Sequence, residues 1–141
     1  MRELVRQKIL ESLAAAPPAL TRRNVRVPGV PGKAVAVIGP RRAGKTTFLW
    51  QVLADRLQAG APRETLLYFN FEDERLSELA AGDLGLVVEE YFRLHPEVRD
   101  RRKALLLFDE IQVVEGWEQF ARGCWIPKRS SCLSRVRLRA C

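Results

Sequence analysis

A glycine-rich segment in the first third of the chain carries residue types that suit phosphate binding. Residues 39–46 read Gly-Pro-Arg-Arg-Ala-Gly-Lys-Thr and match the pattern G-x-x-x-x-G-K-[ST] in full. Glycines permit backbone conformations that turn successive N–H groups toward a polyphosphate, and the dipole of a following helix favours an anion. The lysine supplies a point charge for the β- and γ-phosphates. The pattern predicts a P-loop, or Walker A motif, whose nucleotide-binding residues are Gly39, Pro40, Arg41, Arg42, Ala43, Gly44, Lys45, Thr46 and Thr47.

Two adjacent acidic residues, Asp109 and Glu110, follow the apolar run 104–108. A carboxylate at the end of a buried strand lies where open α/β sheets bind their ligands. Asp109 and the hydroxyl of Thr46 are therefore the predicted ligands of Mg²⁺. Glu110 is the predicted base that activates water for attack on the γ-phosphate, and Lys45 is the second predicted catalytic residue. The acidic pair, together with the lack of an N-K-x-D-like motif, favours ATP over GTP.

The elements that must position these residues alternate between buried strands and amphipathic helices. Apolar runs predict strands at 33–38, 65–71 and 104–108, and helical spacing predicts helices at 2–16, 45–59 and 84–94. The runs lack the alternation of a half-exposed strand, which indicates strands buried on both faces. This order predicts an α/β fold with a parallel sheet and right-handed crossovers.

Four segments together resemble the AAA-type members of the P-loop ATPase superfamily: 38–47 (IGPRRAGKTT), 68–73 (YFNFED), 107–112 (LFDEIQ) and 116–118 (GWE). The chain looks most like bacterial and archaeal AAA family ATPases that carry a C-terminal domain of poorly known function. The resemblance implies ATP hydrolysis, with Lys45, Thr46, Asp109 and Glu110 in the roles given above. It also implies ATP or ADP as partner and a polar contact from Asn70 that restrains Glu110, and it leaves homo-oligomer formation open for intact relatives.

The last 19 residues differ from the rest of the chain. Residues 123–141 contain five of the 24 basic residues, all three cysteines and no acidic residue. The net charge of +7 is therefore mostly a property of this tail. An alternative function is a nucleic-acid-binding adaptor that acts through the basic tail, although nothing beyond the tail supports a nucleic-acid partner.

A slip of the reading frame is a second explanation for the tail. The AAA-type ATPases that this chain resembles continue with a fourth strand, a Thr-Gly-Ser-Ser-like sensor and a fifth strand. The tail, as translated in the given reading frame, shows no such pattern. The composition of 19 arginines against five lysines indicates a GC-rich gene. Read two bases later, GC-rich codons for the tail permit LLDTEAVVLSVTGSSARL, which supplies the missing strand and sensor. We therefore predict a frame slip near residues 122–123 and a truncated protein.

The predicted fold is accordingly a partial P-loop NTPase three-layer α/β sandwich that lacks the fourth and fifth core strands in frame. Its predicted divisions are an N-terminal helix and connector at 1–32, a partial ATPase domain at 33–122 and a basic aberrant tail at 123–141. The family's strand order, 5-1-4-3-2, would leave the first strand without lateral partners, which predicts marginal folding. The one in-frame segment that could fill the gap is 134–139, whose alternation suits an edge strand.

The sequence also bears on location. No apolar run approaches the roughly 18 residues needed to span a bilayer, and the N-terminus mixes charges into its apolar positions. We expect a cytoplasmic protein without a membrane partner.

Overall fold

The computed structural model describes residues 1–18, 34–39, 44–101, 104–122 and 131–137. Its centre is a parallel sheet of four strands in the order β1-β4-β3-β2. The strands are β1 (Ala34–Gly39), β2 (Leu66–Asn70), β3 (Leu105–Asp109) and β4 (Ser131–Arg137). The helices are α1 (Arg2–Ala14), α2 (Lys45–Gln58), α3 (Leu84–Leu94), α4 (Pro96–Arg101) and α5 (Trp117–Arg122). The predicted α/β fold with a parallel sheet is confirmed.

Helices cover both faces of the sheet because its strands are apolar on both sides. On one face, α2 packs on alternate residues of β2 and β3, and this cluster contains Phe48, Leu49, Val52, Leu53, Leu66, Tyr68, Leu105 and Leu107. On the other face, Leu67, Phe69, Leu106 and Phe108 pack against residues of α1, α3, α4 and α5. The alternation of neighbouring strand residues between the two clusters is the period of two that a β-strand imposes. The result is the three-layer arrangement that the sequence predicts.

The N-terminal helix protects the edge strand β2. The Ser12 hydroxyl donates to the backbone carbonyl of Tyr68. The guanidinium of Arg63 donates to the carbonyl of Leu66, and also to those of Ser12 and Ala15 at the end of α1, over 2.6 and 3.2 Å. These contacts satisfy strand carbonyls and helix-end carbonyls at once, which closes an edge that could otherwise pair with another chain.

The fourth strand corrects one prediction made from the sequence. β4 lies between β1 and β3 and pairs in parallel with both, with Leu133 opposite Val35 on one side and Leu107 on the other. The central position that was expected to be empty is therefore filled by residues 131–137 of the tail, which overlap the predicted 134–139 but begin three residues earlier. Proximity to β1 and β3 outweighs the weak strand character of this sequence, because unpaired central strands would leave backbone groups unbonded. On the far side of β1, no strand pairs with it among the described residues.

In the part of the chain that the structure describes, no helix has the length and apolar character that crossing a bilayer requires.

Candidate functional site

The glycine-rich segment leaves β1 and enters α2 at the carboxyl edge of the sheet. Gly39 is the last residue of β1, and Gly44 precedes α2 with a φ of 77°, in the left-handed region that favours glycine. Lys45 and Thr46 form the first turn of α2, so the helix N-terminus faces the same edge of the sheet as the carboxyl ends of the strands. Pro40, Arg41, Arg42 and Ala43 lie outside the described residues. The strand before the segment and the helix after it are those that the phosphate-binding pattern requires.

Thr46 and Asp109 meet although they are 63 positions apart in the chain. The Thr46 hydroxyl donates a hydrogen bond of 2.8 Å to Oδ2 of Asp109. Asp109 ends β3 and is 1% exposed. The structure thus brings together the two residues that the sequence assigns to the metal, one from each motif.

A second hydroxyl reaches the same carboxylate oxygen. The phenol of Tyr68, in β2, donates to Oδ2 of Asp109 over 2.6 Å. Sequence reasoning assigned no role to Tyr68. The sequence did contain a signal for this contact, because the hydroxyl of a tyrosine in a buried strand needs a hydrogen-bond partner. Tyr68 lies near the end of β2, and Asp109 ends the neighbouring strand β3.

Glu110 leaves the strand in an unusual backbone conformation. Its φ is 56°, and it is the one residue other than glycine with a positive φ among the described residues. Its side chain is 2% exposed and accepts a hydrogen bond from Nε2 of Gln112. Such a conformation costs roughly 1–3 kcal/mol and is common at functional sites. Glu110 is therefore held at the carboxyl edge of the sheet by both its backbone and its side-chain partner.

Asn70 does not make the contact that the resemblance implied. It lies in register with Asp109, but its Oδ1 accepts from the backbone N–H of Glu72 over 2.9 Å. This bond stabilises the turn after β2, which is a common role for an asparagine at a strand end. Among the described contacts, Gln112 rather than Asn70 holds Glu110, and Gln112 was not singled out from the sequence.

A cavity of about 550 Å³ is lined by residues that follow β2 and by Val113 and Val114, which follow β3. Its floor is apolar and includes Phe71, Leu76 and Val114, and its rim carries Glu72 and Glu74. Asp73, also on the rim, is paired with Lys8 over 2.9 Å and with Arg75 over 3.0 Å. The hydrogen bonds from Arg75 and then from Lys8 hold the pKa of Asp73 well below its usual range.

The fold and site define the class of protein: a P-loop NTPase-like α/β domain of the AAA type. A glycine segment joins a parallel strand to a helix, and a buried aspartate ends a nearby strand of the same sheet. The family model described as AAA domain (AAA_14) matches residues 31–133. The chain belongs to this AAA domain family. The match continues into the predicted tail, which begins at residue 123.

Two curated relatives extend the comparison. The chain is 32% identical over 120 residues to the uncharacterized protein MJ1544 of Methanocaldococcus jannaschii, an alignment that covers 84% of the chain and 25% of the relative. It is 34% identical over 84 residues to an uncharacterized protein of Haemophilus influenzae, which covers 59% of the chain and 20% of that relative. The aligned part spans a quarter or less of the length of these relatives. No solved structure matches the chain.

Proposed function

We propose that the chain is the nucleotide-binding part of a magnesium-dependent ATPase and binds ATP at the carboxyl edge of its sheet. The observation that carries this proposal is the hydrogen bond of 2.8 Å between Thr46 and Asp109. It joins the N-terminus of α2 to the end of β3, which are the two places where a P-loop domain binds phosphate and metal. Membership of the AAA domain family supports the same function.

The phosphates of ATP are proposed to lie over the N-terminus of α2. Backbone N–H groups at a helix N-terminus have no partner within the helix and attract anions. The left-handed backbone at Gly44 turns the chain into this helix without a steric cost. Lys45, the first residue of α2, is proposed to bind the β- and γ-phosphates and to stabilise the charge that develops on them.

The oxygen atoms of Thr46 and Asp109 fit the ligand preference of Mg²⁺. In the part of the chain that the structure describes, no cluster of three or more His, Cys, Asp or Glu side chains could enclose a metal ion by itself. This agrees with Mg²⁺, which is bound through one or two protein oxygens together with phosphates and water. When bound, Mg²⁺ would neutralise part of the phosphate charge. The Thr46 hydroxyl can offer its oxygen to the metal while its O–H still donates to Oδ2 of Asp109.

Glu110 is proposed to act as the general base of hydrolysis. It directly follows Asp109, and Gln112 fixes one of its carboxylate oxygens. A carboxylate can only accept hydrogen bonds, so the side of Gln112 that faces Glu110 is its NH₂ group. The other oxygen of Glu110 is the atom proposed to take the proton from water.

We infer that turnover by this chain is slow. P-loop ATPases commonly need an arginine from a neighbouring subunit, worth about 10³–10⁵ in rate. A sensor residue after the fourth strand, implied by the family resemblance, is not legible in this sequence. Binding of MgATP is therefore the property by which the proposed function is judged.

Titration calorimetry of the whole chain with MgATP tests this proposal. We expect one site in the wild type and no measurable binding by Lys45→Ala, because the lost contact is charge-assisted and partly removed from water. Lys8→Ala is a matched control, since Lys8 pairs with Asp73 rather than with the P-loop. Equal affinity of Lys45→Ala and the wild type would contradict the proposal.

A further inference from the structure

Tyr68 lies on the same face of the sheet as Asp109 and Thr46. It is opposite Leu107 in the register of β2 and β3, and Asp109 follows Leu107 by two residues, on the same face. The phenol therefore reaches diagonally across the sheet to the end of the next strand, where its hydroxyl is 2.6 Å from Oδ2 of Asp109. The distance lies within the range of an O–H···O hydrogen bond.

The aromatic ring of Tyr68 is itself held in place. Trp50, on α2, packs against it with ring centroids 4.5 Å apart and an angle of 31° between the planes. Tyr68 is 9% exposed. A tyrosine side chain has two torsions, so a ring fixed by packing leaves its hydroxyl with little freedom of position.

We propose that Tyr68 is a positioning residue for the magnesium ligand Asp109. Oδ2 of Asp109 accepts from Thr46 of α2 on one side and from Tyr68 of β2 on the other. Two donors from different elements fix the rotation of the carboxylate before any metal arrives. Preorganisation of this kind raises affinity, because binding no longer has to order the ligand. The inference rests on the proposed function, since it concerns the same magnesium site.

A purely structural role for Tyr68 makes a different prediction. Loss of a buried hydroxyl would then lower the stability of the fold but would leave the magnesium dependence of ATP binding unchanged. Tyr91 provides the comparison within the same chain. Its phenol is also buried and donates over 2.6 Å, but to the backbone carbonyl of Glu64, away from the site.

The test is the ratio of ATP affinities measured with Mg²⁺ and with a chelator, called here the magnesium gain. It is measured by titration calorimetry on the whole chain for wild type, Tyr68→Phe and Tyr91→Phe. We expect Tyr68→Phe to reduce the magnesium gain by about tenfold, as for a hydrogen bond to a charged group. Its affinity in chelator should stay within about twofold of wild type, and Tyr91→Phe should keep the full gain.

Failure of the inference and failure of the proposed function give different results. A wild-type gain retained in full by Tyr68→Phe overturns the positioning role and leaves the proposed function standing. A wild type without any gain overturns the magnesium site and the inference with it. If Tyr68→Phe does not fold, the magnesium gain of Trp50→Leu is the test instead. This variant removes the packing that holds the Tyr68 ring but keeps the Tyr68 hydroxyl. We expect the magnesium gain of this variant to be about threefold smaller than that of wild type, and an unchanged gain would overturn the inference.

Discussion

The carboxylate of Glu110 accepts a hydrogen bond from the side-chain amide of Gln112, two residues further along the chain. Glu110 is almost fully buried and has a left-handed backbone. The surrounding protein, and not solvent, therefore sets the orientation of its carboxylate. Val113 and Val114, which directly follow the short turn from Glu110 to Gln112, line the cavity of about 550 Å³. The proposed base and its partner thus belong to one compact turn at the end of β3.

Removal of the charge of Glu110 should separate binding from turnover. Glu110→Gln keeps the size of the side chain but cannot accept a proton from water, so we expect MgATP affinity within about threefold of wild type. Phosphate release, measured with a coupled enzyme assay, should fall to the level of the buffer. The matched control is Glu115→Gln, which alters an exposed acid a few residues later. Wild-type turnover by Glu110→Gln would exclude it as the base.

Loss of the Arg63 guanidinium should destabilise the fold without involving the site. Arg63→Ala leaves the carbonyls of Ser12, Ala15 and Leu66 without this donor. We expect the free energy of unfolding to fall by about 2 kcal/mol or more, because hydrogen bonds to charged groups are the stronger ones. The free energy of unfolding is measured by urea denaturation that is monitored with circular dichroism. Arg93→Ala, at a side chain that is 58% exposed, should change it by less than about 0.5 kcal/mol. Equal losses in the two variants would contradict this account.

Asp73 should make the stability depend on pH in the acidic range. Hydrogen bonds from Arg75 and Lys8 lower its pKa in the folded state, so its contribution is complete above the unfolded pKa of about 3.9. The contribution decreases as pH falls further, toward the lower pKa of the folded protein. We expect Asp73→Asn to lower Tm at pH 7 by about 2–5 °C, and the difference from wild type to shrink below about pH 4.

Thermal unfolding between pH 2.5 and pH 7 checks this dependence. Glu72→Gln, at the neighbouring exposed acid, is the control and should have little effect at any pH. A difference between Asp73→Asn and wild type that grows on acidification would show that the sign is wrong.

Most of the fold can be predicted from local pattern. The strands near the two motifs start and end within a residue or two of the predicted limits, because continuous apolar runs are hard to bury in any other way. Helix α1 ends at Ala14 rather than at the predicted residue 16. The reason is local, since Ala16 precedes Pro17 and the residue before a proline avoids helical backbone, and the chain is already extended at Ala15 with a ψ of 139°.

Contacts between segments that are distant in the chain could not be predicted from the sequence. The bond between Tyr68 and Asp109 depends on the register of two strands, which the sequence pattern does not state. The position of β4 depends on the unpaired edges of β1 and β3, between which it lies, and not on the strand propensity of its own residues. The predicted frame slip and the predicted division of the chain at residue 122 stay predictions, and the nucleotide sequence of the gene and its downstream frame decides the first of them.

The central position of β4 predicts a strong effect of proline. Leu133→Pro removes a backbone donor from a strand that pairs on both sides, which a central strand does not tolerate. We expect loss of cooperative unfolding, or a decrease in the free energy of unfolding by about 3 kcal/mol. Leu133→Val keeps the donor and serves as the control. An unchanged denaturation midpoint in Leu133→Pro would mean that this segment is not part of the sheet.

The magnesium gain in ATP affinity tests the central claim most directly, when it is compared between wild type, Thr46→Val and Asp109→Asn. Thr46→Val keeps the shape of the side chain but removes the hydroxyl that donates to Asp109, and Asp109→Asn removes the charge. If the two residues hold the metal of bound ATP, Mg²⁺ should raise the affinity of wild type by about tenfold or more. Each variant should lose most of this gain, with its affinity in chelator little changed. The same gain in wild type and in both variants, or no gain in wild type, would contradict a magnesium-nucleotide site between α2 and β3.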